Sequence, residues 1–386
     1  MNTGEYKKNN SVTLLKGGSA YFEILLKLIN ETKELIYIQT YIFANDYTGN
    51  LIADSLINAT KRNVRIYIMI DGIASNNLPK QFISKLTSAG IKFRYFEPIF
   101  KSKFLYFGRR MHQKVIVTDT KNALVGGLNI ADKYNDRPEK KAWLDFAVLV
   151  KGDVVTEIEE NCKQIWQTFT FVNKETRRKS IQKSEFLSDK NCDVRVRIND
   201  WVWHQNEISN SYIEILHTAK KQVVILCSYF IPGKAFRRQI INAVKRGIKI
   251  KIIIAGKSDV ILAKNAEKWL YDWLLRNHIH LYEYQNNILH GKIAICDTTW
   301  LTIGSYNINN ISTYASVEVN LDIRNDDFTE AALSKIENII EQECIKITKE
   351  NHLKSKNIFI QFRRWLSYQT IRILFFISTF YFKRKS

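Results

Sequence analysis

Hydrophobic and polar positions along the chain follow two periods, and the same order of predicted elements occurs twice. In the first half, residues 21–33 predict a helix and the apolar run 35–43 predicts a strand. In the second half, the corresponding segments are residues 212–220 and 223–230. Such a repeat indicates an internal duplication, in which each half builds the same unit.

Two further pairs of segments extend this repeat. Residues 62–72 and 246–256 each run from the end of a helix into a β-rich strand that stops at glycine. Residues 90–96 and 278–284 predict another strand in each half. Helices therefore alternate with strands, which favours two α/β domains, each with a mixed, largely parallel sheet covered by helices on both faces.

Domain boundaries follow from composition. Residues 173–191 are rich in Lys, Arg, Ser and Glu and have no apolar period, so we place a linker there. The predicted units are a first domain over residues 1–175, a second over residues 191–350, and a basic, aromatic tail over residues 351–386.

The charge balance indicates a polyanionic partner. Lys and Arg number 58 against 38 Asp and Glu, which gives a net charge of +20. A surface of this kind attracts nucleic acid or an acidic membrane, although it can also serve solubility alone. The five cysteines are widely spaced without a C-x-x-C pair, so neither disulfides nor zinc is expected. The polar amino terminus predicts no signal peptide or N-terminal span, and an intracellular setting fits best.

One motif occurs in both halves with identical spacing. It reads His-x-Lys-x4-Asp, followed by Gly-Gly or Gly-Ser and then x-Asn. Two copies inside a duplicated chain exclude coincidence. The residues of the first copy are His112, Lys114, Asp119, Gly126, Gly127 and Asn129, and those of the second are His290, Lys292, Asp297, Gly304, Ser305 and Asn307.

These residue types suit chemistry on a phosphodiester. His and Lys two positions apart on a strand point to the same face, so both can reach one ligand. The lysines offset the anionic charge that repels nucleophiles, most strongly in the transition state. Three further side chains are expected to bind the phosphate oxygens, namely Asn129, Asn307 and Ser305.

Two histidines can divide the work between them. A neutral imidazole attacks phosphorus and forms a phosphohistidine, while a protonated one donates to the leaving oxygen and then activates the incoming hydroxyl. The residues themselves do not say which histidine attacks. No set of His, Asp and Glu has metal-ligand spacing, so no metal or cofactor is expected.

Carboxylates are expected to orient the histidines by binding their far ring nitrogens. Each motif is followed by a strand with a lone acid, Asp145 or Glu318. We predict that these two acids are the partners of the histidines; the alternative is that they face solvent. At the strand ends, Asp119 and Asp297 are expected to hold backbone amides or the motif lysine rather than to transfer protons. The remaining histidines, which lack the motif offsets, are expected to be surface or packing residues: His204, His217, His278, His280 and His352.

The paired motifs resemble the phospholipase D superfamily, and the surrounding segments over residues 12–325 are similar to its bacterial cardiolipin synthase branch, in the short form without N-terminal membrane helices. The resemblance implies two tandem phospholipase D-like α/β/α sandwich domains. It also implies metal-free transfer of a phosphatidyl group from phosphatidylglycerol to a second phosphatidylglycerol, with release of glycerol and with the amino-terminal histidine as the nucleophile.

The resemblance also assigns residues. It places six residues in the active site: His112, Lys114, Asp119, His290, Lys292 and Asp297. One departure is Gln113, where relatives often carry a basic residue, and this position bears on the preference for the donor lipid.

The carboxyl-terminal tail predicts a membrane contact. Residues 351–386 hold eight basic residues and no acid, and their apolar run 373–382 is too short to cross a bilayer. An aromatic, cationic segment suits the surface of an anionic bilayer, so we expect a peripheral protein on the cytoplasmic face of the cell membrane. The alternative is a terminal helix docked on the protein's own core.

Several functions share the predicted site. A phospholipase D-type hydrolase or a phosphatidylserine-forming transferase differs only in the acceptor, which the residues do not identify. A nuclease of the same superfamily would also use the positive charge, but the aromatic tail favours lipid over nucleic acid. A binding module without catalysis is disfavoured because neither motif is degraded. No obligate protein partner is expected.

Overall fold

The computed structural model describes residues 4–98, 109–167, 191–200, 205–309, 312, 316–354 and 357–383. The predicted linker lies outside the described residues apart from Asn191, and so does His204. The predicted domain boundaries therefore stay predictions.

The first half forms strands and helices in the order that the hydrophobic pattern predicts. Its strands are β1 Lys7–Lys16, β2 Leu35–Thr40, β3 Arg65–Asp71, β4 Lys92–Phe96, β5 Arg110–Met111, β6 Val115–Thr118, β7 Asn122–Gly126 and β8 Phe146–Gly152. Its helices are α1 Ser19–Glu31, α2 Tyr47–Thr60, α3 Lys80–Ser88 and α4 Val154–Gln167, with a 3-10 turn at Asp132–Tyr134.

The second half repeats this series and adds helices at its end. Its strands are β9 Cys192–Asp200, β10 Gln205–Asn206, β11 Gln222–Cys227, β12 Lys249–Lys257, β13 His280–Ile288, β14 Lys292–Cys296, β15 Trp300–Gly304, β16 Ser316–Arg324 and β17 Cys344–Ile347. Its helices are α5 Glu207–Thr218, α6 Lys234–Lys245, α7 Ile261–Trp269, α8 Tyr271–Arg276, α9 Asp326–Glu343, α10 Lys349–Lys354 and α11 Ile358–Lys383.

The two halves share one continuous sheet. The strand order in the first half is β4-β3-β2-β6-β7-β8-β1, and that in the second half is β9-β16-β15-β14-β11-β12-β13-β17. The antiparallel pairing of β1 with β9 joins them at the centre. This order makes the halves equivalent about a pseudo-twofold axis between β1 and β9.

The sheet is mixed, as predicted, but its parallel part is smaller than expected. Among the strands in the described residues, parallel pairing within each half occurs in β2-β3-β4 and in β11-β12-β13. The strand after each motif returns through a hairpin, β6 to β7 and β14 to β15. A connection of three residues permits only antiparallel pairing, because a parallel crossover needs a dozen or more.

Helices cover both faces of the sheet, in agreement with the predicted α/β/α layers. On one face, α1, α2 and α3 close the core of the first half, and α5, α6 and α8 close that of the second. On the other face, α4 and α9 share one central core with strands of both halves. This common core fixes the two halves against each other.

An aspartate directly follows each of the two motif strands, β6 and β14. The carboxylate of Asp119 accepts hydrogen bonds from three successive backbone amides, Lys33 at 2.9 Å, Glu34 at 2.8 Å and Leu35 at 3.0 Å. Asp297 does the same in the second half, with the amides of residues 220–222. Both aspartates have φ of 51°, in the left-handed region that Asp and Asn tolerate best. Each one therefore ties the hairpin turn to the start of β2 or β11.

The substitution Asp119→Asn tests this role. Asn tolerates the left-handed conformation and keeps one carbonyl oxygen as an acceptor. Its side-chain NH2 group replaces the oxygen that accepts from the backbone amide of Lys33, so that hydrogen bond is lost. We expect a loss of about 1–2 kcal/mol in the free energy of unfolding, measured by urea denaturation. Asp54→Ala, which removes only an exposed ion pair with Lys85, should change stability by less than about 0.5 kcal/mol. Equal effects of the two substitutions would contradict the role of Asp119.

Candidate active site

Main-chain hydrogen bonds cross between the halves at the start of each motif. The amides of His112 and Gln113 donate to the carbonyl of Val317, at 2.9 and 3.0 Å. In the other direction, the amides of His290 and Gly291 donate to the carbonyl of Leu144, at 2.7 and 3.0 Å. The accepting residue in each half immediately precedes the lone acid of that half. The backbone therefore sets the histidine of one half beside the carboxylate of the other.

The side chains complete this crossed arrangement. Nδ1 of His112 lies 3.0 and 2.9 Å from the two carboxylate oxygens of Glu318, and Nδ1 of His290 lies 2.6 Å from Oδ2 of Asp145. Both carboxylates are fully buried. Because each Nδ1 is held by a carboxylate, Nε2 is the ring nitrogen left for substrate. The structure thus brings the two predicted histidines to the two predicted acids, in a crossed pairing that the sequence analysis did not specify.

The motif lysines are buried beside the histidines. Nζ of Lys114 donates to the carbonyl of His112 at 2.5 Å, and Nζ of Lys292 donates to the carbonyl of His290 and lies 3.0 Å from its Nδ1. Burial and, to a smaller extent, the charge of Lys292 lower the pKa of Lys114 to about 7, although Glu318 opposes them. Burial also lowers the pKa of Lys292, against the attraction of Asp145. Charges of one half therefore act on ionisable groups of the other, as expected for one shared cleft.

Burial favours the neutral form of both imidazoles. It lowers the pKa of His112, although Glu318 opposes this effect. It lowers the pKa of His290 to about 3, with a further contribution from Lys292. For Asp145, burial favours the neutral acid, but the attraction of Lys292 and the contact with His290 outweigh it and lower the pKa. Asp145 thus stays charged while the histidines start as neutral bases.

The predicted phosphate-binding residues divide into two kinds. The hydroxyl of Ser305 donates to Oε2 of Glu318 at 2.5 Å and accepts from the amide of Val319 at 3.2 Å. Ser305 therefore positions Glu318, and its contact with a phosphate stays a prediction. In the first half, Gly127 occupies the motif position of Ser305, and a Cβ on Gly127 would lie 2.2 Å from Oδ1 of Asp145. The shorter acid therefore fills the space that the serine hydroxyl occupies in the other half.

The two asparagines hold the strands beside the motif. Oδ1 of Asn129 accepts from the amide of Ile42 at 3.0 Å, and its Nδ2 donates to the hydroxyl of Tyr134 at 2.8 Å. Oδ1 of Asn307 accepts from the hydroxyl of Ser228 at 2.6 Å. Both side chains are buried next to the cleft. A phosphate contact through them stays a prediction.

The geometry bears on two other sequence expectations. Asp119 and Asp297, which the family resemblance places in the active site, lie at the far ends of the motif strands and bind backbone amides, so they stabilise the fold and do not contact the histidines. Gln113 is buried and donates to Gln39, with Asn161 donating to it at 3.4 Å. The side chain at this position is therefore held by hydrogen bonds in the interior, and its effect on the donor lipid stays a prediction.

Aromatic rings pack against both histidines and form the walls of the site, which the sequence motifs did not indicate. The ring of Tyr41 lies 4.9 Å from that of His112, edge to face. The rings of Tyr134 and Trp143 lie 5.3 and 5.9 Å from that of His290. A signal for one of them was available, since Trp143 stands two residues before Asp145 and therefore on the same face of an extended segment. Among the described residues, no group of three His, Cys, Asp or Glu side chains could hold a metal ion.

Comparison with known proteins gives one consistent result. The family model described as "Cardiolipin synthase, PLD-like domain" matches twice, at residues 25–169 and 212–340. Cardiolipin synthase B of Escherichia coli (strain K12) is 30% identical over 355 residues, which covers 89% of this chain and 83% of that protein. Cardiolipin synthase 1 of Bacillus cereus is 28% identical and covers 83% of this chain and 64% of that protein.

Among solved structures, phosphatidylserine synthase from Haemophilus influenzae has the same fold, with a TM-score of 0.75, 14% identity and coverage of 96% of each chain. The duplicated unit, the two motif copies and these similarities agree. The chain belongs to the family of cardiolipin synthases with phospholipase D-like domains.

Proposed function

We propose that this chain is a cardiolipin synthase that joins two phosphatidylglycerol molecules and releases glycerol. The observation that carries the proposal is the crossed pair of histidine and carboxylate, His112 with Glu318 and His290 with Asp145, around one cleft. Two buried lysines beside these pairs supply the positive charge that a phosphodiester requires. The names of the relatives supply the substrate class.

In the first step, Nε2 of His112 attacks the phosphorus of the donor, and the bond from phosphorus to the glycerol oxygen breaks. His290 gives its proton to that oxygen, so that glycerol leaves as a neutral alcohol. The bound phosphodiester anion raises the proton affinity of His290, because its charge opposes the effects of burial and of Lys292, which lower the pKa of this histidine. A phosphatidyl-histidine remains on the enzyme.

In the second step, a hydroxyl of another phosphatidylglycerol attacks the same phosphorus. His290, now neutral, takes the proton of this hydroxyl, and the bond between phosphorus and His112 breaks. The products are one cardiolipin and one glycerol for every two phosphatidylglycerol molecules. Glu318 and Asp145 keep both rings in the tautomer that exposes Nε2 throughout.

Membrane contact is supported by the exposed face of α11. No helix in the part of the chain that the structure describes is long and apolar enough to cross a bilayer. Tyr368 and Ile371 dock this helix on α7, so the predicted alternative of docking on the core holds for one of its faces. On the other face, Phe359 is 79% and Phe362 59% exposed. Ile261, at the start of α7, is 77% exposed.

Exposed apolar side chains of this size favour a membrane surface. Arg363 and Arg372 are exposed on the same helix and would pair with anionic headgroups. We therefore propose peripheral association with an anionic bilayer, on the cytoplasmic face, through α11 and the start of α7.

The histidine roles are tested with purified protein and phosphatidylglycerol vesicles. The unchanged protein should release cardiolipin and glycerol in equal amounts, and His112→Ala and His290→Ala should each lose at least about a thousandfold in rate. His217→Ala, at an exposed position, is the matched control and should keep the rate. The trapped phosphorylated peptide should contain His112. Phosphatidic acid as the sole product would favour a hydrolase, and cleavage of DNA without lipid turnover would favour a nuclease.

Lys114 predicts an alkaline limit on activity. Its pKa is lowered to about 7, so kcat/KM should fall as the pH rises above 7, because the neutral amine no longer offsets the phosphate charge. Arginine stays protonated over this range, so Lys114→Arg should move the alkaline limb to higher pH even if its maximal rate is lower. An alkaline limb that does not move would assign the titration to another group.

The membrane surface is tested by co-sedimentation with phosphatidylglycerol vesicles. The double variant Phe359→Ser/Phe362→Ser should bind at least about tenfold more weakly, because two exposed aromatic side chains no longer enter the bilayer. Its melting temperature should be unchanged, since both rings face solvent in the folded protein. Tyr47→Ser removes an aromatic ring that is 55% exposed in the first half and should bind normally. Equal sedimentation of all three proteins would contradict the proposed surface.

A further inference from the structure

Lys133 lies at the edge of the aromatic wall that holds His290. It sits in the 3-10 turn Asp132–Tyr134, and its amine lies 4.4 Å from the ring centre of Trp143 and 5.5 Å from that of Tyr134. These are the two rings that pack against His290, at 5.9 and 5.3 Å. The turn is held in place because the amide of Trp143 donates to the carbonyl of Lys133 at 2.9 Å. This lysine therefore belongs to the His290 side of the cleft.

The amine of Lys133 is a half-buried cation whose charge is not matched by a nearby acid. In the described part of the chain, no carboxylate lies within the 4.0 Å of an ion pair with it. Burial lowers the pKa of Lys133, and Asp259 and Asp46 oppose this effect from a greater distance. The contacts that the structure shows for the amine are with two aromatic faces. A bound anion would compensate the desolvation of such a cation directly.

The proposed reaction brings a second anion to this side of the cleft. In acceptor phosphatidylglycerol, a chain of three carbons separates the phosphate from the terminal hydroxyl, and standard bond lengths put them about 6 Å apart. If His290 takes the proton of that hydroxyl, the acceptor phosphate lies several ångströms beyond it. The motif lysines, Lys114 and Lys292, are buried at the donor phosphorus and cannot also serve this second phosphate. A separate cation is therefore required on the His290 side.

We propose that Lys133 binds the phosphate of the acceptor lipid and thereby favours a phosphatidylglycerol acceptor over water. This inference rests on the proposed function, with His290 as the base of the second step. A water molecule or a small neutral alcohol carries no phosphate, so its reaction with the phosphatidyl-histidine does not use Lys133. Lys133 thus acts on the choice of acceptor and leaves formation of the covalent intermediate unchanged.

The experiment compares three products from phosphatidylglycerol vesicles in buffer that contains ethanol: cardiolipin, phosphatidic acid and phosphatidylethanol. Lys133→Gln should raise the KM for cardiolipin formation by about 10- to 100-fold, which is the effect of losing one charge-assisted hydrogen bond. Its rates of phosphatidylethanol and phosphatidic acid formation should stay within about twofold of those of the unchanged protein. Lys133→Arg should restore cardiolipin formation in part, because it keeps the charge. Lys141→Gln, at an exposed position of the same loop, is the control and should change none of the products.

Each other outcome overturns the inference. If Lys133→Gln lowers all three products equally, the lysine serves the donor or the fold and not the acceptor. If it leaves the ratio of cardiolipin to phosphatidylethanol unchanged, Lys133 does not contact the acceptor phosphate. Failure of the proposed function is distinguishable, because the unchanged protein would then form no cardiolipin from phosphatidylglycerol under any condition.

Discussion

The site depends on two backbone carbonyls that each accept two amides from the opposite half. Buried N–H and C=O groups need partners, so the start of each motif strand can lie only against Val317 or Leu144. The residue after each carbonyl is the buried acid, which then meets the histidine of the other half. A single half holds a histidine without its carboxylate and a carboxylate without its histidine. In this chain, the chemistry therefore needs both halves.

Electrostatic balance in the cleft follows from this crossing. Two lysines and two carboxylates are buried together, so their positive and negative charges offset each other. Burial lowers the pKa of both lysines, and Lys292 also lowers that of Lys114, whereas the two acids raise both pKa values. A phosphodiester anion shifts this balance, since it favours protonated lysines and a protonated His290. Substrate binding therefore supplies the protonation state that the leaving group needs.

The sequence predicted the local part of this site well. His112 and Lys114 are two residues apart on one strand, and such short spacing determines a shared face without knowledge of the fold. The crossed pairing could not be predicted, because it joins residues 206 and 145 positions apart through the symmetry of the sheet. From the sequence alone, the hydroxyl of Ser305 could bind either a phosphate or a neighbouring acid. Its contact with Glu318 depends on the packing of β15 against β16.

Other features were predictable in principle. Three residues separate β6 from β7, and this spacing alone requires a hairpin and so limits the parallel part of the sheet. The strand-end position of Asp119 favoured backbone amides as its partners, and its three amide hydrogen bonds agree with that expectation. In contrast, the wall formed by Tyr134 depends on how the 3-10 turn folds back over the second half, for which no period or motif gives a signal.

The location of Asp259 connects the cleft to the proposed membrane surface. Its carboxylate accepts a hydrogen bond from the hydroxyl of Tyr229, and its charge raises the pKa of both Lys133 and Lys292. The next residues, Val260 and Ile261, are exposed and apolar. One short segment thus has its polar end at the cleft and its apolar end in the surface that we assign to the bilayer. In the proposed orientation, an acceptor lipid presents its headgroup to Lys133 and His290 while its acyl chains stay in the membrane. The proposed membrane surface and the proposed acceptor site therefore support each other, because one bound lipid can reach both.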